Sequence, residues 1–199
     1  KTIRGYKMTK INIQDLKAVS LASSKDTTRR YLNGVFVEVY KDNTAGLIAT
    51  NGHILHTTNI QPPENIISSG IVPSKMVQDI IKLINKTTVE IDIEILPAGN
   101  KWSDKINVSF DSHNLNCNLI DGNFPDWRGF LPENKPTNEP MAIAYEYLES
   151  TAKVAKAYKV SCVQFTSVGS GQFTFKVLNT PHFYGLIMGM NWDKINTKK

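Results

Sequence analysis

The apolar positions of this chain switch between a helical and a strand period in a repeating order. A helical pattern over Asn12–Lys25 precedes two strand patterns, Leu32–Tyr40 and Gly46–Thr57. Ile60–Gly70, with two prolines and two serines, reads as a loop. A second unit opens at Ile71-Val72-Pro73 and continues in a helix over Ser74–Asn85, where Val77, Ile80, Ile81 and Ile84 recur at i, i+3, i+4 and i+7. Pro73 suits the start of that helix, because its missing N–H would have no intrahelical partner there. Strands are predicted at Thr88–Leu96, Lys105–Phe110 and Asn114–Ile120, with a turn at Pro97–Asp104. The Pro- and charge-rich stretch Pro132–Pro140 separates a third unit: strand Met141–Tyr145, helix Glu146–Tyr158, and strands Val160–Val168, Gln172–Leu178 and Phe183–Met190. Gly169-Ser170-Gly171 supplies a tight hairpin between two of them.

Each unit therefore reads strand–helix–strand–strand–strand over roughly 55 to 60 residues, an α+β pattern with helices packed on antiparallel sheets. A single unit leaves the apolar face of its helix and sheet uncovered, so units are expected to pair around a shared core. Residues 1–132 would then form one complete two-unit domain, 133–140 a linker, and 141–199 half of a second domain. Left unpaired, that half would present Val163, Phe165, Phe173, Phe175 and Leu186 to solvent, a patch larger than monomers usually carry.

Composition narrows the functional classes. No apolar run approaches the about 18 residues needed to span a bilayer, and the basic N-terminal stretch has no apolar segment behind it, so a cytoplasmic protein without membrane association is expected. Cys117 and Cys162 each fall within a predicted strand and read as buried free thiols, with a disulfide as the alternative. The net charge of +5 suits a polyanionic partner. His53 and His56, three apart at a strand end, point to opposite faces, which argues against a zinc pair. Neither cysteine sits where a helix N-terminus would activate it, and no glycine-rich phosphate loop is present. Asp121 beside Gly122 is turn chemistry rather than half of a carboxylate pair. No enzyme and no cofactor are expected.

Three strings carry a family resemblance: RRYLNGVFVEV at Arg29–Val39, LIATNGHIL at Leu47–Leu55 and LIDGNFPDWRGFLP at Leu119–Pro132. In this order and near this spacing they resemble the middle domain of the bacterial DNA sliding clamp, the beta subunit of DNA polymerase III. The likeness covers Ile11 to Pro132, and YGLIMGMNW at Tyr184–Trp192 resembles the family's C-terminal strand. It implies the DNA-clamp fold, with helices inside a ring and sheets outside. It also implies that the family's first domain and one half of its last are missing here. Asn51 and Ile54 stand where the family usually has Asp and Arg, and Gly189 where it often has Pro, so the identity of any bound peptide stays open.

The resemblance further implies a groove for short apolar and aromatic peptide motifs, built here from Thr50, Gly52, His53, Leu55, Pro125, Arg128, Phe130, Leu186, Ile187, Met188 and Met190. Apolar walls, a glycine for close approach and adaptable methionines suit such a groove; plain core packing is the alternative for Leu55, Phe130, Leu186 and Ile187. Lys17, Lys25, Arg29, Lys75, Lys82, Lys86, Lys153 and Lys156 would face duplex DNA without reading its sequence, or else coat solvated helix faces. The implied partners are duplex DNA, a DNA polymerase or other protein with a clamp-binding motif, a clamp loader, and further copies of the chain in a dimer or tetramer. An adaptor or decoy that binds such peptides without encircling DNA is the alternative role.

Overall fold

The computed structural model describes residues 9–40, 44–60, 68–96, 104–133, 136–137, 142–169 and 171–190. The predicted turn at 97–103, most of the 133–140 linker and Ser170 lie outside them.

The first unit comprises β1 (Thr9–Asn12), α1 (Ile13–Ser20), β2 (Gly34–Val39), β3 (Ala45–Thr50) and β4 (Ile54–Ile60). Asn12 caps α1 by accepting the Gln14 N–H, and Ile13, Leu16 and Val19 form its buried stripe. The single strand expected over Gly46–Thr57 is instead a hairpin. Asn51 Oδ1 accepts the N–H groups of His53 and Ile54, the Thr50 hydroxyl donates to the Ile54 carbonyl, and Gly52 takes φ +92°. That side-chain turn interrupts an otherwise continuous apolar alternation.

The second unit comprises β5 (Gly70–Pro73), α2 (Ser74–Leu83), β6 (Glu90–Leu96), β7 (Lys105–Phe110) and β8 (His113–Asn118). Met76, Val77 and Ile80 are the buried residues of α2, while Ile84 already has extended backbone and ends the helix.

The third unit comprises α3 (Tyr145–Ala157), β9 (Val163–Ser167), β10 (Gln172–Val177) and β11 (Phe183–Met188). Lys159 adopts φ +58° and the Val160 N–H donates to the Ala155 carbonyl, a closing turn typical of helix C-termini. This turn delays β9 to Val163 and leaves Cys162 outside the strand and exposed, contrary to the buried thiol expected there; Cys117 is half-buried in β8, and both are free. Among the described residues of the strand expected at Met141–Tyr145 there is one bridge, Ala142 to Met190, and Tyr145 already belongs to α3; Met141 lies outside them.

Two antiparallel sheets result, ordered β1-β6-β7-β8 and β5-β2-β3-β4-β11-β10-β9. The first two units exchange their lead strands: β1 joins β6, and β5 joins β2. Their helices and sheets close one core, in which Leu16, Val35, Leu47, Val77, Ile80, Ile93 and Val108 are buried. The larger sheet then continues into the third unit through β4–β11, with Leu55 opposite Leu186. Phe175 and Leu186, expected to be exposed, are therefore buried within the chain; Val163 and Phe173 are half-buried, and Phe165 remains 38% exposed.

The helices pack against one face of this sheet, and α2 and α3 run antiparallel to α1. One cleft joins the start of α1 (Ile13, Lys17) to the ends of α2 (Ile84) and α3 (Ala157). Another joins its end (Ser20) to the starts of α2 (Ser74) and α3 (Tyr147).

Candidate peptide groove and helical face

Strand alternation divides β4 and β11 between two environments. Ile54, His56, Phe183 and Ile187 face the helices and belong to the main core. Leu55 and Leu186 point outward and join Ile48 and Trp127 in a separate buried cluster, flanked by Phe36, Phe124, Leu131 and Tyr184. Residues 124–131 cross the outer face of the sheet to complete it. Asp126 caps the short 3-10 turn Trp127–Phe130 by accepting the Arg128 N–H. Gln172 Nε2 sits 3.5 Å from the Phe130 carbonyl and 3.6 Å from Met188 Sδ, tying this turn to β10 and β11.

The structure thus brings most of the anticipated groove residues to one region. Leu55 and Leu186 (2% exposed) form a floor beneath Trp127; Met188 is half-buried at its open end, and Phe130 and Met190 are 54% and 44% exposed. Met188 donates its N–H to the His53 carbonyl at 2.8 Å, which fastens the Thr50–His53 turn to the end of β11. Thr50 is buried and serves that turn, its hydroxyl also accepting the Gly52 N–H. Three residues lie elsewhere. Ile187 is fully buried on the opposite face of the sheet. The His53 ring stacks on Tyr147 of α3, on the helix side. Arg128 is held by Glu38 on β2, through Nη1–Oε1 at 2.8 Å and Nη2–Oε2 at 3.1 Å. Its guanidinium lies over the Trp127 and Tyr40 rings, and the Glu38 hydrogen bond raises its pKa above the ordinary arginine value. Pro125 is half-buried ahead of the 3-10 turn.

On the helical side the basic residues gather in the two clefts beside α1. Lys17, Lys86 and Lys159 line one, of about 510 Å³; Lys25, Arg29 and Lys153 line the other, of about 650 Å³. Three of the anticipated DNA-facing groups already have acidic partners: Lys75 with Asp79, Lys153 with Glu149, and Arg29 with Asp26. The pKa of the exposed Asp26 carboxyl is lowered to about 2, chiefly by hydrogen bonds from Thr28 and also by Arg29. Lys82 is exposed on α2, and Lys156 lies on the far side of α3 from these clefts, in a groove with Leu148 and Phe165.

Two polar constellations escape sequence reasoning. Trp127 Nε1 donates to Glu38 Oε2 at 2.9 Å, so one carboxylate serves Trp127 and Arg128 together. Asp15, buried on α1, accepts from the Tyr158 hydroxyl at 2.7 Å and lies 3.0 Å from His182 Nε2, which joins α1 to the end of α3 and to the start of β11. Burial first, and Asp15 second, push the Tyr158 phenol well above its ordinary range. The partners are 143 and 167 residues apart, so no local spacing announces them. Among the described residues no cluster of three or more His, Cys, Asp or Glu could hold a metal, and no helix is long and apolar enough to cross a membrane.

Exchanged lead strands, paired strand–helix–strand units and an outer apolar site at the β4–β11 joint are features of a DNA-clamp fold. A sequence model described as DNA polymerase III beta subunit, central domain, matches residues 8–126, more than half of the chain, and the chain belongs to that family of bacterial sliding clamps. It is 33% identical over 121 residues to the beta sliding clamp of Rickettsia bellii, a match taking in 60% of this chain and 31% of that protein. It is 28% identical over 132 residues to that of Borreliella burgdorferi, covering 64% of this chain and 31% of that protein. The chain spans about a third of the length of the curated relatives it matches. Among solved structures, the Borrelia burgdorferi DNA polymerase III subunit beta, in complex with a natural product, superposes with a TM-score of 0.73 at 17% identity, covering 96% of this chain and 66% of that one. The Bartonella birtlesii sliding clamp bound to griselimycin gives 0.70 at 18% identity, covering 96% and 68%. These likenesses show the clamp fold.

Proposed function

We propose that this chain acts as a sliding clamp, a non-catalytic cytoplasmic protein that tethers a DNA polymerase or other replication or repair protein to duplex DNA. The observation that carries this reading is the outer apolar site where β4, β11 and the Trp127–Phe130 turn meet. Its floor is made by Leu55 and Leu186, and Met188, Met190 and Phe130 are accessible around it. An apolar, methionine-edged site of this kind suits a short motif with aliphatic and aromatic anchors. The task is topological: a tethered enzyme gains effective concentration at its template without any new chemistry. On the helical side, the lysines of the two clefts would meet phosphates without reading bases, which allows sliding. A ring would need several copies of the chain and a separate loading ATPase to open it.

The ion pairs of Lys75, Lys153 and Arg29 support a second reading. They reduce the free positive charge of the helical side, as an adaptor or decoy that binds clamp-interacting peptides without encircling DNA would allow.

Calorimetric titration with a peptide bearing a clamp-binding motif tests the site. A Kd in the micromolar range is expected, about −8 kcal/mol. Met188→Ala should weaken binding by roughly 1–2 kcal/mol without unfolding the chain, and joint replacement of Met188 and Leu186 by roughly 1–3 kcal/mol. Absence of binding by the parent protein would remove the groove.

A further inference from the structure

The first two units show how one such unit is completed, and the described residues of the third show half of that completion. In the first pair, α1 runs antiparallel to α2, and the lead strand of the second unit, β5, lies between two partners. On one side β5 pairs with β2; on the other, Ile71 accepts the N–H of Ile120, just past the last strand of its own unit. The third unit repeats half of this arrangement. Ala142 accepts the N–H of Met190, just past β11, at 2.7 Å against 2.9 Å for the Ile71–Ile120 bond. The other half is not seen among the described residues, where no strand pairs with the outer edge of β9. Thr137 donates its N–H to Ser167 at one end of that edge, and Val163–Thr166 continue beyond it.

Beside this edge, the side of α3 turned away from α1 forms an apolar groove of about 700 Å³. Leu148, Ala152 and Ala155 lie along the helix, and Val163 and Phe165 along the strand. Leu148 is 45% exposed and Phe165 38%. Two opposite charges stand seven residues apart on α3: Lys156 lines this groove, and Glu149 lies two turns earlier on the helix. Such a helix is complementary to itself when antiparallel. A two-fold axis between residues 152 and 153 sets Glu149 against Lys156 of the second copy. Glu149 pairs with Lys153 in the isolated chain, but both side chains are more than half exposed, so that pair exchanges partners at little cost.

We propose that two copies of this chain pair through their third units, α3 antiparallel on α3, with the Ala142 segment of each copy extending the β9 edge of the other. Each copy supplies the half that the other lacks, in the way that the first two units complete one another. The contact is isologous, so it closes after two copies and leaves the β4–β11 groove free on each. It supplies one of the contacts between copies that a ring of this chain would need, and to that extent rests on the proposed function.

Light scattering on the 199-residue chain between low and tens of micromolar should give twice the 22.3 kDa chain mass. Phe165→Glu and Leu148→Glu, both at accessible positions, should each give folded monomers by circular dichroism. Glu149→Lys and Lys156→Glu should each raise the dimer Kd about ten-fold, and the double variant should recover most of that loss. Alkylation of Cys162, which lines the groove, should slow as the protein concentration rises. Titrating the monomeric variants with a clamp-motif peptide separates the two ideas: retained binding leaves the clamp reading standing even if pairing fails. A monomer at tens of micromolar, or a dimer indifferent to Phe165→Glu and Leu148→Glu, would overturn the pairing.

Discussion

Glu38 anchors the outer face, since it binds Trp127 and Arg128 at once and so holds the crossing segment on the sheet. Family likeness placed Arg128 at the rim of the groove; its partner, 90 residues away, became visible only with the fold. Glu38→Ala should cost about 1–2 kcal/mol in urea unfolding, the lower figure favoured because Arg128 is about half exposed. His56 makes the opposite case, a polar residue wholly inside. Its Nδ1 lies 2.9 Å from the Ala18 carbonyl and therefore carries the proton, while the ring meets Phe175 and Phe183 edge-on. Burial lowers its pKa from 6.5 to about 4, against a smaller upward pull from the Ala18 bond. The folded form thus binds the proton less readily than the unfolded chain. This contribution is complete above pH 6.5 and lost as the pH falls toward about 4. Unfolding free energy should drop by a few kcal/mol across that window, on the order of 1.4 kcal/mol for each pH unit, and His56→Gln should flatten the slope. Sequence spacing assigned His53 and His56 to opposite faces; instead the Thr50–His53 turn, which precedes β4, carries the His53 ring to the helix side beside Tyr147, the same side on which His56 is buried.

Helical stripes and alternating strands were the most legible elements. α2 follows its Val77–Ile80 stripe, and β7 occupies its predicted residues, because each has one buried face and a regular period. The Thr50–His53 turn was harder to place, since β4 is buried on both sides and its alternation is masked. The β4–β11 joint was illegible: strand pairing across about 130 residues leaves no local trace, and it is this joint that buries Leu186 and Phe175. Gly185, on β11, is fitted to the ring of Phe175 directly opposite on β10; a Cβ there would collide with the ring. Gly185→Ala should therefore destabilise by about 1–3 kcal/mol, read as a lower urea midpoint with an unchanged slope. The third unit is also pinned by Tyr158 on Asp15. Tyr158→Phe removes one of two partners of a buried carboxylate and should cost about 1–3 kcal/mol, whereas a neutral outcome would show that His182 alone satisfies it.

Across the described residues, the first and third units share one seven-stranded sheet, to which the second adds β5 while its other strands form a separate sheet; helices pack on one face of the larger sheet and an apolar site lies on the other. The repeat pattern and family strings conveyed the three units but not the joint between the first and third; the distribution of charge also needed coordinates, because only they separate clefts holding Lys17, Lys86 and Lys159 from lysines paired along their own helices. Affinity for duplex DNA should be weak, indifferent to sequence and steeply salt-dependent. Replacing Lys17, Lys86 and Lys159 by Gln should reduce the slope of log K against log salt by about 1 for each lysine that meets a phosphate. An unchanged slope would assign these lysines to solvent.

Methionine methyl NMR can locate bound peptide at the β4–β11 joint. Met76 is buried in the main core, whereas Met188 and Met190 border the outer site. Addition of a clamp-motif peptide should shift the Met188 and Met190 methyl signals in a saturable, micromolar titration and leave Met76 unmoved. Saturable binding that leaves both unperturbed, or no perturbation of any methionine at saturating peptide, would contradict the site.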